Sequence, residues 1–183
     1  IASSAFQGNH PLKNLTENEI RLTLNSMKIY SAALGCKLNQ NEAESLARQL
    51  HALGHQVVQD AAQADICILN TCTVTHIASR KSRQALRRLR RDNPEALVVV
   101  TGCYAHMSPG EMPPLGADLV VDNKDKDRLL EILSAKVPGL GLGVSAPAIP
   151  FASLSSRTRA FVKVQDGCDN ACTYCIVTHA RGP

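Results

Sequence analysis

An α/β fold with an open parallel sheet and flanking helices is what this sequence predicts, on two observations. Strand-like and helix-like segments alternate from Lys28 onward, the order expected when parallel strands are joined by helical crossovers. Two of the strand-like runs, Ile66–Leu69 and Leu97–Val100, are apolar continuously, the pattern of strands covered on both faces.

Residues before the first strand, Ile1–Ser26, are polar and irregular, with a weak helical patch around Glu17–Leu24. Met27 is expected to be the natural start, and 1–26 an extension that is non-native or disordered and takes no part in the fold. Strands are expected over Lys28–Ala33, Gln56–Val58, Ile66–Asn70, Leu97–Thr101 and Leu119–Val121. Helices are expected over Asn41–Leu53, Ile77–Arg91 and Asp125–Ala135, so that 27–136 forms one domain. In the middle helix Ala78, Ser82, Ala85 and Leu89 share one face, while Arg80, Arg83, Arg87 and Arg91 lie on another. Residues 137–156 are punctuated by Pro138, Gly139, Gly141, Gly143, Pro147 and Pro150, and read as a linker. Arg159–Gln165 reads as one more strand, opening a second unit over 157–183.

Composition narrows the function classes. Of the 183 residues 44% are hydrophobic, enough for a buried core. No apolar run reaches the roughly 18 residues of a membrane span, and Ile1–Phe6 lacks the basic flank of a secretory leader. The formal net charge is +4. Its distribution says more than its size: Arg80, Lys81, Arg83, Arg87, Arg88, Arg90 and Arg91 follow one another with no acidic residue among them. Such a block suits a polyanion such as RNA, and equally suits a solvated helix face. Seven cysteines, an odd number without a leader, fit a disulfide framework poorly. Metal or redox chemistry in a reducing compartment, the cytoplasm, accounts for them better.

Cys168, Cys172 and Cys175 form C-x3-C-x2-C. Three soft thiolates at this spacing can hold a cubane iron–sulfur cluster with one iron left open. Zinc is the alternative, with His179 as a fourth ligand. Three further cysteines close predicted strands: Leu34-Gly-Cys36-Lys-Leu-Asn39-Gln40, Asn70-Thr-Cys72-Thr-Val-Thr75, and Thr101-Gly-Cys103-Tyr-Ala105. Parallel strands end on one edge of their sheet, where ligands bind. Three cysteines far apart in sequence are therefore expected at one place. Cys67, inside an apolar run, reads as a buried core thiol. His76 and His106 follow strand ends and read as surface or supporting residues.

The stretch Lys163-Val-Gln-Asp-Gly-Cys168, with Asp-Asn-Ala-Cys172-Thr-Tyr-Cys175-Ile-Val and then Arg181-Gly182, resembles the radical-SAM methylthiotransferase family. The three upstream cysteine segments resemble that family's amino-terminal domain. By this resemblance Cys36, Cys72 and Cys103 would hold an auxiliary four-iron four-sulfur (4Fe-4S) cluster that takes part in sulfur delivery. Cys168, Cys172 and Cys175 would hold the radical-SAM 4Fe-4S cluster, whose open iron chelates S-adenosylmethionine. The chain departs from the family at Ala171, usually aromatic, and at Thr178, usually proline. Neither position is a ligand, so altered packing is expected rather than lost binding.

The resemblance implies a reaction in which two molecules of S-adenosylmethionine supply a methyl group and a radical, and a methylthio group is added at C2 of a modified adenosine in tRNA. The segments around Cys36, Cys72, Lys81-Ser-Arg83 and Cys168 are most similar to the branch acting on N6-threonylcarbamoyladenosine. The branches for isopentenyladenosine tRNA and for a ribosomal protein are the alternatives, although the latter typically has proline where Lys37 stands. Outside the family, a non-catalytic iron–sulfur or zinc-binding α/β protein is the rival reading. Arg80, Lys81, Arg83, Arg87, Arg88 and Arg91 are the candidate RNA contacts, and a flavodoxin-like electron donor is a candidate partner. Because Pro183 closes the chain soon after Cys175, at the start of a truncated radical-SAM barrel, the 183 residues alone are expected to be catalytically incompetent.

Overall fold

A computed structural model of the chain describes residues 26–138, 140, 162–170 and 172–183. The expected extension therefore lies outside the described residues except for Ser26, as do most of the expected linker and the first part of the last expected strand.

Five strands form one parallel sheet: β1 (Lys28–Ala33), β2 (Gln56–Val58), β3 (Ile66–Thr71), β4 (Leu97–Gly102) and β5 (Leu119–Val120). Their spatial order is β2-β1-β3-β4-β5, and every neighbouring pair is parallel. The helices are α1 (Lys37–Ala52), α2 (His76–Asp92), α3 (Cys103–Met107), α4 (Leu129–Lys136) and α5 (Val177–Arg181), with short 3-10 turns between some of them.

The continuous apolar runs explain the two-sided core. Successive side chains of a strand point to opposite faces, so Cys67 and Leu69 pack with Val98, Val100, Leu86 and Leu89 on the α2 side. Ile66, Ile68 and Val99 pack with Ile29, Leu50, Leu129 and Leu133 on the α1 and α4 side, which buried Leu140 completes. All six residues of β3 are buried.

Three elements differ from the sequence reading. Helix α1 starts at Lys37, four residues before Asn41, directly after Cys36. Its first turn, Lys-Leu-Asn-Gln, has almost no apolar signal because a buried polar residue, Asn39, anchors it. The last expected strand is absent where it is described: Val162–Gln165 has no regular structure, and Val162 and Val164 stand 81% and 91% exposed. β-prone residues form a strand only where a neighbour takes their ladder hydrogen bonds, and none of the described residues does so here. The expected helix over Asp125–Ala135 begins instead as a 3-10 turn, Lys126–Arg128, and becomes α-helical at Leu129.

Candidate functional site

The loops leaving β1, β3 and β4 emerge on one edge of the sheet, and each carries a cysteine. Cys36 caps α1 and is exposed, Cys72 follows β3, and Cys103 opens α3; the latter two are buried. The turn before Cys36 requires glycine. Gly35 has φ +92°, and a β-carbon there would sit 2.5 Å from Cys72 Cβ and closer still to its sulfur. The loops of Cys36 and Cys72 are thus in direct contact.

Polar side chains hold these loops. The fully buried Asn39 donates from Nδ2 to Leu34 O (2.9 Å) and Thr71 O (3.0 Å), tying the ends of β1 and β3 together. Its Oδ1 accepts from the Cys36 thiol at 3.7 Å. Ser82, buried on α2, accepts from Cys72 N (3.1 Å) and donates to Cys72 O (3.0 Å), clamping that residue's backbone. Thr71 donates to Thr101 O at 2.6 Å and accepts from Ala105 N at 3.1 Å, which fixes the entry to α3. Burial pushes the Cys103 thiol up, against the pull of neighbouring Arg181 and Asn123, and Cys72 lies near enough to add to the rise.

The second cysteine group folds over this edge. Cys168 N donates to Gly182 O (3.0 Å) and Cys175 N to Cys172 O (3.0 Å), while Asn170 reaches Cys168 Sγ at 3.6 Å. Helix α5 packs on α3. Asn123 donates to Ala180 O, and His106 spans Asp122 (2.8 Å) and His179 O (3.0 Å). The family departure at Thr178 has a structural use: its hydroxyl lies 2.9 Å from Cys168 O and 3.0 Å from Asn170 O, which a proline could not reproduce. The other departure, Ala171, lies outside the described residues. An open hollow of 360 Å³ is lined by Cys172, Tyr174, Cys175, Thr178 and His179, with Tyr174 90% exposed. His76 lies exposed at the start of α2, away from these contacts.

Among the described residues no three His, Cys, Asp or Glu side chains stand within reach of one metal ion. A tetrahedral zinc with Zn–S of about 2.3 Å needs sulfurs about 3.8 Å apart. A cubane binds each thiolate through a different iron, so its ligands stand farther apart. Each cysteine group supplies three thiols, soft donors that suit the second case, and His179 stands beside Cys172 and Cys175 in the hollow.

The family model described as "Uncharacterized protein family UPF0004" matches residues 28–122, more than half of the chain. This chain belongs to that family. The UPF0004 domain is the amino-terminal domain of methylthiotransferases, and the five-stranded sheet described above is its fold here. Among curated relatives, the threonylcarbamoyladenosine tRNA methylthiotransferase MtaB of Bacillus subtilis is 38% identical over 81% of this chain and 35% of its own length. The protein of the same name from Aquifex aeolicus is 39% identical over 85% of this chain and 40% of its own. The tRNA-2-methylthio-N(6)-dimethylallyladenosine synthase of Sphingopyxis alaskensis is 34% identical over 82% of this chain and 36% of its own. The chain thus spans between 35% and 40% of the length of these relatives.

The basic helix of this UPF0004 domain separates into two kinds of residue. Arg80, Lys81, Arg87, Arg88 and Arg91 are exposed, and the side chains of Arg88 and Arg91 share Asp92. Arg83 is half-buried, donates to Tyr104 OH at 2.9 Å and lies over that ring at 5.7 Å. Arg90 turns inward and donates to the carbonyls of Pro94, Ala96 and Gly116 and to Asp118, which makes it a structural residue. No helix among the described residues is long and apolar enough to cross a membrane.

Sequence reading missed Glu42 and Asn123, and it named Asn39 only within the Cys36 segment and Ser82 only on a helix face, without their roles. A buried polar residue looks like a surface one until its partners are known.

Proposed function

We propose that this chain is the cluster-holding front of a tRNA methylthiotransferase that modifies N6-threonylcarbamoyladenosine. In this reading Cys36, Cys72 and Cys103 ligate an auxiliary 4Fe-4S cluster, and Cys168, Cys172 and Cys175 ligate a radical-SAM 4Fe-4S cluster. The single observation that carries it is the meeting of three strand-end cysteine loops beneath the C-x3-C-x2-C loop, in a chain whose relatives bear methylthiotransferase names. Residues 27–136 then form the sulfur-delivery domain and 157–183 the start of the radical-SAM domain.

When bound, the clusters and S-adenosylmethionine would supply the radical and the sulfur chemistry. The residues of this chain hold and screen that chemistry. Asn39 and Ser82 fix the loops of Cys36 and Cys72, so the thiolates are presented without a large ordering cost. Exposed Arg80, Lys81, Arg87, Arg88 and Arg91, with half-buried Arg83, offer a positive surface for tRNA phosphates; such contacts position the substrate without selecting its sequence. The reading places the protein in the cytoplasm, with a flavodoxin-like electron donor as partner.

The relative from Sphingopyxis alaskensis, named for dimethylallyladenosine, keeps the isopentenyladenosine branch as the second reading. Nucleosides of bulk tRNA from cells lacking the gene, and from cells with it restored, separate the two by mass spectrometry. Loss and return of 2-methylthio-N6-threonylcarbamoyladenosine is the expected result. Loss of the isopentenyl nucleoside instead transfers the assignment to the second branch, and no change in either refutes both.

A further inference from the structure

The residue joining the two cysteine groups is an arginine. Arg181 lies on α5, six residues after Cys175, and its side chain is only 5% exposed. It donates to Glu42 Oε1 at 3.0 Å, to Asp166 Oδ1 at 2.6 Å and to Asn39 Oδ1. Glu42 and Asn39 belong to α1, the helix that Cys36 caps. Asp166 stands two residues before Cys168. Lys126 closes the network from the sheet side, reaching Glu42 at 2.6 Å and Asp166 at 3.0 Å.

A guanidinium is costly to bury unless its partners are fixed in place. Here both carboxylates are largely buried and anchored independently: Glu42 also accepts from Asn70 Nδ2 (3.0 Å), and Asp166 from Lys163 (2.9 Å). The two terminal nitrogens of Arg181 therefore meet these acceptors together in one position. That position requires the cysteine loop to lie on the edge carrying Cys36, Cys72 and Cys103. The side chain also comes close enough to Cys103 to influence that thiol.

We propose that Arg181 is a positioning residue that locks the Cys168–Cys175 loop onto α1 through Glu42, Asn39 and Asp166 and so sets the distance between the two metal centres. The proposal rests on the two-cluster reading of the six cysteines. Surface ion pairs are weak and tolerant of geometry, whereas a buried fork with three acceptors fails as a unit when its cation is removed.

The test uses the full-length protein with Arg181→Met, and Glu42→Gln as a second variant that removes one acceptor of the fork and leaves every cysteine in place. After anaerobic reconstitution, iron and sulfide content should match wild type, while the electron-spin coupling between the two reduced clusters should weaken or vanish. In the metal-free protein, amide exchange at Ala180 and Gly182 should rise at least about tenfold, equivalent to roughly 1.4 kcal/mol or more of docking. Arg181→Lys, which keeps the charge without the fork, should recover part of both signals. Fully loaded variants with unchanged spin coupling overturn the proposal, whatever the exchange shows. Wild type that binds fewer than two clusters overturns the two-cluster reading and this proposal with it. The exchange measurement on metal-free protein then tells whether the docking itself was real.

Discussion

Gly35 and Cys72 touch so closely that the site has no space for a β-carbon between them. The positive φ of Gly35 and the buried sulfur together define the turn that delivers Cys36 to the sheet edge. Gly35→Ala should therefore destabilise the fold by about 2–4 kcal/mol, combining the cost of a left-handed conformation with overpacking. Urea denaturation measures it, and a loss under about 0.5 kcal/mol would contradict the packing described.

Glu42 makes the ion-pair network sensitive to acid. Burial opposes its charge, but hydrogen bonds from Arg181, Lys126 and Asn70 prevail and hold its carboxyl below the ordinary value of 4.5. The unfolded chain then takes up the proton first as the pH drops. The stabilisation is complete above the ordinary value and is lost as pH falls through the folded one. Glu42→Gln should cost about 3 kcal/mol at pH 7, since it leaves buried cations under-compensated. The difference in Tm between variant and wild type should shrink steadily below pH 4.5. A gap independent of pH would remove Glu42 from the network.

Cys67 should behave unlike the exposed thiols. It is fully buried in β3, and burial pushes its pKa up to about 11 against a weaker opposing pull from Arg90. At pH 8 in the metal-free protein, iodoacetamide should label exposed Cys36 and Cys172 first and leave Cys67 unmodified until denaturant is added. Labelling of Cys67 at the rate of Cys36 would show that the core opens.

How much of this was legible in the sequence depended on the kind of signal. The continuous apolar runs of β3 and β4 gave away a doubly covered sheet, because burial on both faces abolishes alternation. The glycine–cysteine and threonine–cysteine strand ends gave away the site edge, because parallel strands all finish on one side. The first turn of α1 was hidden, since Asn39 is polar yet fully buried, and its partners Thr71 and Arg181 come from distant parts of the chain. Glu42 and Arg181 lie 139 residues apart and carry no pattern that pairs them. Arg90 looks like its neighbours in a basic run, and only the carbonyls of Gly116 and Ala96 set it apart.

That contrast along α2 can be measured. Charge reversal at Arg80 and Arg87, both exposed, should weaken tRNA binding and lower the slope of log affinity against log salt by about one for each phosphate no longer neutralised. Stability should stay within about 0.5 kcal/mol of wild type. Arg90→Ala should do the reverse, lowering stability by about 1–3 kcal/mol as carbonyls are left without their donor, with the salt slope unchanged. Equal effects of the two substitutions on the salt slope would contradict this division of the helix.

The most direct test of the central claim is the iron and acid-labile sulfide bound per chain after anaerobic reconstitution, comparing wild type with a triple alanine variant at Cys36, Cys72 and Cys103. The account predicts about eight irons in wild type and about four in the variant, as two four-iron clusters on separate cysteine triplets require. Equal iron in the two proteins would contradict the auxiliary site, and zinc bound in place of iron would contradict the methylthiotransferase reading altogether.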